Sequence, residues 1–300
     1  MEMRHLKPMF DLGNLGLMPF SPRDEKSIMD SIERSDVVIN LIGKYYETKH
    51  IVPTRRADGK LSRTNFSFQE VHVDIARRIA RLSKQAGVKS FIHVSALGAN
   101  ANSKSEWSRT KAAGEKAVRE EFPEAIVVRP ATVFGPEDRF LNLIGEMQER
   151  LPFVPIINNG ETLLQPVYCL DVSQALFNIV NNHAEFKGED FELYGPAEYT
   201  YREIVEFVQD VTTVTKPIIA VPQKAAVVAG RWINAGAINP VLSEDMVALM
   251  SENCVPSVEG SRAKNLSDLG LQARSMDRYS FDFLHRFRPG GHFLMAQGYH

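Results

Sequence analysis

S-E-W-S-R-T-K-A-A-G-E-K, Ser105 to Lys116, comes shortly after the apolar run F-I-H-V-S, which ends at Ser95. The run predicts a β-strand, and the later stretch predicts a helix. Trp107 and Lys111 are four residues apart, so they share one face of that helix, with about 5 to 6 Å between their Cβ atoms. A strand that ends in serine is therefore followed by a helix that presents an aromatic residue and a lysine together.

Apolar strands and amphipathic helices alternate on both sides of this unit. D-V-V-I-N-L-I-G is a continuous apolar run ended by Gly43, which is typical of a strand buried on both faces. Apolar residues recur at helical spacing from Phe68 to Leu82, before Gly87 stops the helix. A-I-V-V-R-P predicts another buried strand, ended by Pro130. This β-α-β-α-β order predicts an α/β fold with a doubly wound parallel Rossmann-like sheet.

The pattern becomes mixed after Phe134. F-V-P-I-I, L-L-Q-P-V-Y and D-F-E-L-Y predict short strands, and helices are expected at Asp171–Asn182, Tyr201–Val211 and Met276–Phe287. Thr200 and Glu203 form a capping box before the second of these helices. We therefore expect a Rossmann-like domain over residues 1–150 and a smaller mixed α/β lobe over 151–300, with some segments of the lobe returning to the first sheet.

Composition excludes several functional classes. The 300 residues carry 35 basic and 37 acidic side chains, and a net charge of -2 argues against general binding to nucleic acid. Two cysteines favour a reduced environment over a disulfide framework. The eight histidines are too scattered for a metal site. No apolar run approaches the roughly 20 residues that a membrane-spanning helix needs.

Two stretches lie outside the alternating pattern. His50 to Thr64 has Pro, Gly and four basic residues without periodicity, which predicts a surface insertion. Ser21 to Ser35 opens with Pro22 and acidic residues and predicts a helix.

Ligands of doubly wound parallel sheets bind beyond the carboxyl ends of the strands. The expected rim therefore contains Gly43, Ser95 and the turn Arg129 to Pro136.

The chain resembles the extended or atypical short-chain dehydrogenase/reductase superfamily. The residues that carry the likeness are D-V-V-I-N-L-I-G, F-I-H-V-S, the helix of Lys111 and Glu115, V-V-R-P-A-T-V-F-G-P and Q-P-V-Y-C-L-D-V-S-Q-A. The resemblance implies an NAD(P)-binding domain at residues 1–150. The cofactor contacts it implies are Leu41, Ile42, Gly43, Ser95, Lys111, Pro130, Thr132 and Val133.

More narrowly, the chain is similar to the family of NAD(P)H-binding accessory subunits of mitochondrial NADH:ubiquinone oxidoreductase, respiratory complex I. The blocks are R-H-L-K-P-x-x-D-L-G, V-V-I-N-L-I-G-x-x-x-E-T-K, G-E-K-x-V-R-x-x-F-P-E-A-I and F-G-x-E-D-R-F-L-N. This likeness implies a subunit on the matrix side of the mitochondrial inner membrane that holds NADPH without turning it over. Its partners would be other complex I subunits, without nucleic acid.

The C-terminal lobe suggests a further contact. Lys224 to Ile233 and Phe281 to Met295 mix aromatic and basic residues. One interpretation is core packing with a solvated cationic edge. The other is docking of the lobe on neighbouring subunits near the membrane surface, where amphipathic basic-aromatic segments are favoured.

The chain departs from the superfamily at its beginning. The glycine-rich turn that aims a helix N-terminus at the pyrophosphate is missing, since Gly13 to Pro19 follows no predicted strand and runs into a proline. We expect the first β-α-β unit to lie upstream of Met1, so that the Rossmann-like domain is incomplete and NADPH binding is weak or absent. A strand is still expected near Leu15 to Phe20.

The second departure is Trp107, where the superfamily has its catalytic tyrosine. An indole N-H is only a donor and cannot transfer a proton near neutral pH, so Ser95, Trp107 and Lys111 form a degenerate site with no catalytic residue. Trp107 could pack the site closed or lie on the surface, Ser95 could cap its strand, and Lys111 could be a solvated helix lysine. The alternatives to a non-catalytic subunit are an active NADPH-dependent reductase or epimerase and a redox-sensing regulator.

Overall fold

The computed structural model describes residues 10–11, 13–55, 61–236, 243–256 and 263–289. Its strands are β1 (Val37–Asn40), β2 (Thr48–Arg55), β3 (Leu61–Phe66), β4 (Ser90–Val94), β5 (Ile126–Pro130), β6 (Val133–Phe134), β7 (Val154–Ile157), β8 (Leu163–Leu164), β9 (Val167–Tyr168), β10 (Asp190–Leu193), β11 (Tyr199–Thr200) and β12 (Ile218–Val221). Its α-helices are α1 (Glu25–Ile32), α2 (Ala76–Gln85), α3 (Glu106–Glu121), α4 (Leu141–Arg150), α5 (Cys169–Asn181), α6 (Tyr201–Thr212), α7 (Gln223–Gly236), α8 (Glu244–Leu249), α9 (Met276–Tyr279) and α10 (Phe281–Leu284).

A parallel sheet of four strands, in the order β1-β4-β5-β10, organises the fold. Its first three strands are the apolar runs predicted from the sequence, and the fourth comes from D-F-E-L-Y in the second half of the chain. Consecutive residues of β4 face opposite sides. Phe91 packs with α1, α2 and α3, whereas Ile92 packs with α5. Helices therefore cover both faces, and the predicted doubly wound parallel sheet is confirmed.

Strand β1 lies at one edge of this sheet, because β4 is its one neighbour among the described residues. Its Ile39 is 38% exposed, and Leu41 just beyond it is 66% exposed. The strand expected near Leu15 to Phe20 does not form, since residues 15–20 have no regular structure. Gly13 lies in a turn with a positive φ of 88°, and no helix follows before α1. The segment Gly13 to Pro19 is therefore not part of a strand-turn-helix unit.

The stretch predicted as a surface insertion contains two antiparallel strands, β2 and β3. A register shift interrupts their pairing between Lys49 and Thr54. This irregular register is consistent with the absence of sequence periodicity, because a regular alternation of apolar and polar residues is the signal by which a strand is recognised. The residues between the two strands lie outside the described part of the chain.

The C-terminal lobe has its own apolar core, which includes residues of α4, α6, α9 and α10. Phe283, Leu284 and Phe287 belong to it. Gly145 of α4 leaves room for the ring of Phe287, since a Cβ at this glycine would lie 2.6 Å from a ring carbon. For residues 281 to 288, the core-packing interpretation is therefore confirmed for these rings, and docking of the segment on neighbouring subunits stays a prediction. Residues 290–300 lie outside the described part.

Several predicted boundaries are confirmed within two residues. Helix α5 begins two residues before Asp171, and α6 begins after Thr200, whose capping box with Glu203 is present. The predicted single helix from Met276 to Phe287 is instead α9, α10 and a 3-10 turn. The two helices are separated at Ser280, which keeps helical backbone angles and donates its N-H to the carbonyl of Met276.

Helix α3 lies unusually close to a π-helical turn, Glu70–Ile75, which leads directly into α2. A Cβ on Gly114 of α3 would lie 2.1 Å from the carbonyl oxygen of His72 in this turn. Only glycine permits this approach without a backbone shift. It brings His72 against the face of α3 that carries Trp107 and Lys111.

Candidate functional site

The candidate site lies at the carboxyl ends of β1, β4 and β5. β1 is followed by the loop Leu41 to Lys44, β4 by Ser95, and β5 by the turn that contains Thr132. Asn40 of β1 is in register with His93 of β4. Because these strands are parallel, their ends meet at one rim. The predicted rim residues therefore share one edge of the sheet.

Three side chains from different elements hold the loop Leu41 to Lys44. Asn40 accepts a hydrogen bond from the N-H of Ile42 at 3.1 Å. The N-H of Lys44 donates to Nε2 of His72 at 3.3 Å. Trp107 donates its indole N-H to the carbonyl oxygen of Lys44 at 2.6 Å. The loop that includes Gly43 is thus fixed from β1, from the π-helical turn and from α3.

This geometry explains the tryptophan at position 107. Trp107 is 6% exposed, so the alternative of a surface aromatic is wrong. Tyr45 stacks on it with ring centroids 5.6 Å apart, and His72 meets it edge-on. Its N-H is already donated to Lys44, and an indole offers no other proton near neutral pH. Trp107 is packed between Tyr45 and His72 and holds the loop at Lys44.

Lys111 is buried one helical turn further along α3, with 7% exposure. Its Nζ lies 3.2 Å from the position that a Cβ on Gly43 would occupy. Burial lowers the pKa of Lys111 to about 8, and the carboxylate of Glu115 partly offsets this effect. The ammonium group lies over the ring of Trp107, 5.8 Å from the ring centroid. Lys111 is therefore not a solvated helix lysine.

Two buried histidines surround this lysine. Burial, followed by the charge of Lys111, lowers the pKa of both His72 and His93 to about 3. Nδ1 of His72 lies 2.9 Å from Oγ1 of Thr110, and Nδ1 of His93 lies 3.2 Å from Nδ2 of Asn40. Nδ1 of His93 accepts from the amide of Asn40, which places the proton of a neutral His93 on Nε2. Nε2 of His72 lies within hydrogen-bond distance of both the N-H and the carbonyl oxygen of Lys44, at 3.3 and 3.2 Å. Both histidines are therefore structural and uncharged at neutral pH.

Ser95 directly follows β4, and its N-H donates to the carbonyl oxygen of Val128 at 2.8 Å. Its side-chain hydroxyl is buried and has no hydrogen-bond partner. A buried hydroxyl without a partner costs stability. Ser95 therefore does not cap its strand through the side chain.

The turn after β5 divides into two parts. Arg129 points away from the rim and forms ion pairs with Glu115 and Asp190. Pro130 and Thr132 lie at the rim and are half-buried. Val133 belongs to β6, which pairs in parallel with β9. Two of the predicted cofactor residues are thus held by strand pairing, Pro130 opposite Leu193 and Val133 opposite Val167.

Sequence reasoning missed Asn40, His72 and His93. Two of them carried a signal, because a polar side chain within an apolar strand, as in V-V-I-N and F-I-H-V-S, must find a partner when it is buried. His72 gave no signal, since its burial depends on the close approach of α3. Sequence reasoning also missed Asp245 and Glu252. Their hydrogen bonds to residues 103–107 join positions more than 130 residues apart in the chain.

The described residues contain no group of three or more His, Cys, Asp or Glu side chains placed to hold a metal ion. None of the helices in the described ranges combines the length and the apolar character required to cross a lipid bilayer.

The sheet, its rim and the buried lysine define a Rossmann-type protein of the nucleotide-binding class. The model of the NAD dependent epimerase/dehydratase family matches residues 23–193, and the chain belongs to this family. A solved nucleoside-diphosphate-sugar epimerase from Staphylococcus aureus has the same fold, with a TM-score of 0.65 and 13% identity over 91% of this chain and 84% of that chain.

Two curated relatives are similar over almost the whole chain. NADH dehydrogenase (ubiquinone) 1 alpha subcomplex subunit 9 of Mus musculus mitochondria is 36% identical over 288 residues, which is 96% of this chain and 71% of the relative. The mitochondrial NADH-ubiquinone oxidoreductase 40 kDa subunit of Neurospora crassa is 35% identical over 292 residues, covering 97% and 71%. The narrower likeness inferred from the sequence blocks is confirmed.

Proposed function

We propose that this protein is an accessory subunit of mitochondrial respiratory complex I, on the matrix side of the inner membrane, with the other subunits as its partners. The mouse and Neurospora relatives support this proposal, since both are named as mitochondrial subunits of this oxidoreductase. Their similarity extends over the C-terminal lobe as well as the sheet, so it is not limited to the common nucleotide-binding fold.

The subunit holds NADPH at the rim of the sheet. The hydroxyl of Ser95 is buried without a hydrogen-bond partner, and the buried ammonium of Lys111 lies over the ring of Trp107, 5.8 Å from its centroid. Both groups fit the polar ribose of a nucleotide. Leu41 to Gly43 on one side and Pro130 to Val133 on the other form the walls of the site. A nicotinamide nucleotide supplies a hydride when it reacts, and these residues bind and orient it.

NADPH is held without turnover in this proposal. The observation that carries the proposal is the buried indole of Trp107, which stands at the position of the superfamily tyrosine and donates its N-H to Lys44. General acid-base catalysis contributes roughly 10² to 10⁴ in rate, and an indole cannot provide it. The alternative of an active reductase needs another proton donor, for which Tyr45 and Lys111 are the nearby titratable groups.

Helix α7 contacts neighbouring subunits near the membrane surface. Val228 is 55% exposed and Trp232 is 76% exposed, and they lie four residues apart on one face of α7. Exposed aromatic residues on an amphipathic helix favour both protein interfaces and the lipid headgroup region. This face belongs to the segment Lys224 to Ile233 that the sequence identified.

Substituting Lys111 with methionine tests the nucleotide proposal. We expect the wild-type protein to bind NADPH weakly, because Gly13 to Pro19 forms no strand-turn-helix unit for the pyrophosphate. Lys111→Met should bind it on the order of 10- to 100-fold more weakly still, because a charge-assisted hydrogen bond contributes about 1.5 to 3 kcal/mol. Lys116→Met is the matched control, since Lys116 lies exposed on the same helix. Affinities for NADPH and NADH are measured by titrating nucleotide fluorescence.

Turnover is measured in the same samples with a panel of carbonyl substrates. We expect no consumption of NADPH by the wild-type protein. Turnover that disappears in Tyr45→Phe or Lys111→Met would show an active reductase and overturn the non-catalytic proposal. Equal NADPH affinity in Lys111→Met and Lys116→Met would overturn the assignment of the site.

A further inference from the structure

Two carboxylates of the C-terminal lobe reach the beginning of α3. Asp245, in the first turn of α8, accepts hydrogen bonds from the N-H groups of Glu106 and Trp107 at 2.5 and 3.2 Å. It also accepts one from the hydroxyl of Ser105 at 3.0 Å. Glu252 accepts from the hydroxyl of Ser103 at 2.7 Å. Two of the free N-H groups at this helix end are thus satisfied by a distant segment, whereas the N-H of Ser108 is satisfied by the N-cap Ser105.

The segment that carries these carboxylates is tied to the lobe at its other side. The N-H of Cys254 donates to the carbonyl oxygen of Leu163, and the N-H of Gln165 donates to that of Cys254, at 2.9 and 3.2 Å. Thr162 donates its hydroxyl to the carbonyl of Met250 at 3.0 Å. Residues 245 to 254 therefore form a strap that connects β8 in the lobe to the N-terminus of α3.

Helix α3 carries both Trp107 and Lys111 into the rim. Trp107 receives two independent constraints, one from Asp245 on its backbone N-H and one from Lys44 on its indole N-H. Removing the carboxylate loosens the first turn of α3, because the N-H groups of Glu106 and Trp107 lose their acceptor and only the N-cap bond of Ser105 remains. Movement of that turn displaces the indole and thereby loosens the loop that contains Gly43.

We propose that Asp245 is a positioning residue of the nucleotide site, supported by Glu252, so that the C-terminal lobe sets the affinity of the sheet for NADPH. The inference rests on the proposed nucleotide site. Asp245 touches no part of the rim itself and acts through Trp107. By thermodynamic reciprocity, bound nucleotide strengthens the attachment of the strap to α3.

Asp245→Ala is tested in a Trp232→Phe background, where Trp107 is the one remaining tryptophan of the two in the chain. We expect Asp245→Ala to bind NADPH about tenfold more weakly, the size expected when a helix-capping carboxylate is lost. Asp245→Asn keeps one acceptor oxygen and recovers part of the affinity. Glu244→Gln is the matched control, because Glu244 is the neighbouring residue and pairs with Arg231 on the surface instead of α3.

Fluorescence of Trp107 without nucleotide provides a second readout. We expect Asp245→Ala to shift its emission to longer wavelength and to increase its quenching by acrylamide, while circular dichroism shows an unchanged helix content. Trp107 emission and NADPH affinity equal to those of Glu244→Gln would overturn the inference. If the background protein does not bind NADPH, the proposed nucleotide site fails, and the fluorescence shift alone still decides whether Asp245 positions Trp107.

Discussion

The protein will be less stable at pH 5 than at pH 7 by about 4 kcal/mol, because His72 and His93 must remain uncharged in the folded state. Both are almost fully buried, with 2% and 3% exposure. Burial lowers the pKa of each from 6.5 to about 3. Between pH 6.5 and pH 3, both imidazoles are protonated in the unfolded chain and neutral in the folded protein. Stability is therefore complete above pH 6.5 and is lost as the pH falls toward 3.

Urea unfolding at pH 7, 6 and 5 measures this dependence. The double variant His72→Gln, His93→Gln is expected to lose less than about 1 kcal/mol over the same interval, since glutamine does not titrate. Each single variant should lose about half as much stability as the wild-type protein. Measurements at pH 8, where both imidazoles are neutral in either state, establish that the variants fold. If the double variant had the same pH dependence as the wild-type protein, His72 and His93 would not be the cause of the loss of stability at low pH.

Phe287→Ala will destabilise the protein by about 3 to 5 kcal/mol, the usual cost of removing a large aromatic side chain from a core. Phe287 packs between α4 and α6 as part of the lobe core. Gly145 cannot fill the resulting space, because it has no side chain.

Phe177→Ala is the control for this substitution. Phe177 lies on the outer face of α5 and is 59% exposed, so its loss should change the free energy of unfolding by less than about 1 kcal/mol. Unfolding in urea compares the two variants. If Phe287→Ala cost no more than Phe177→Ala, the segment Phe281 to Phe287 would be a surface element, which would contradict the core-packing interpretation.

Local patterns predicted much of the fold. The apolar runs of β1, β4 and β5 and the 3.6-residue periodicity before Gly87 depend on neighbouring residues, so they are visible in one sequence. The aromatic-basic segment at Phe281 was ambiguous for a physical reason. A short segment with alternating aromatic and basic residues can bury its rings while its charges stay in water, and sequence alone does not tell which partner covers the rings.

The site was predicted only in part. Ser95, Trp107 and Lys111 follow from the ends of strands and from helical spacing, and they lie where those rules put them. The partners that fix them, His72 and Asp245, come from elements far away in the chain. The role of His72 depends on the close approach of α3 to the π-helical turn at Gly114, and the role of Asp245 depends on the path of the strap. Both are features of the tertiary structure, and no local sequence pattern indicates them.

Native electrophoresis of mild-detergent extracts of mitochondrial membranes tests the central claim most directly. The endogenous protein carries a C-terminal epitope tag, and the gel is stained for NADH dehydrogenase activity and probed for the tag. We expect the tag to migrate in the band that contains the activity of complex I. A tag found only as a free chain of 33.7 kDa, or in an assembly without that activity, would contradict the assignment as an accessory subunit.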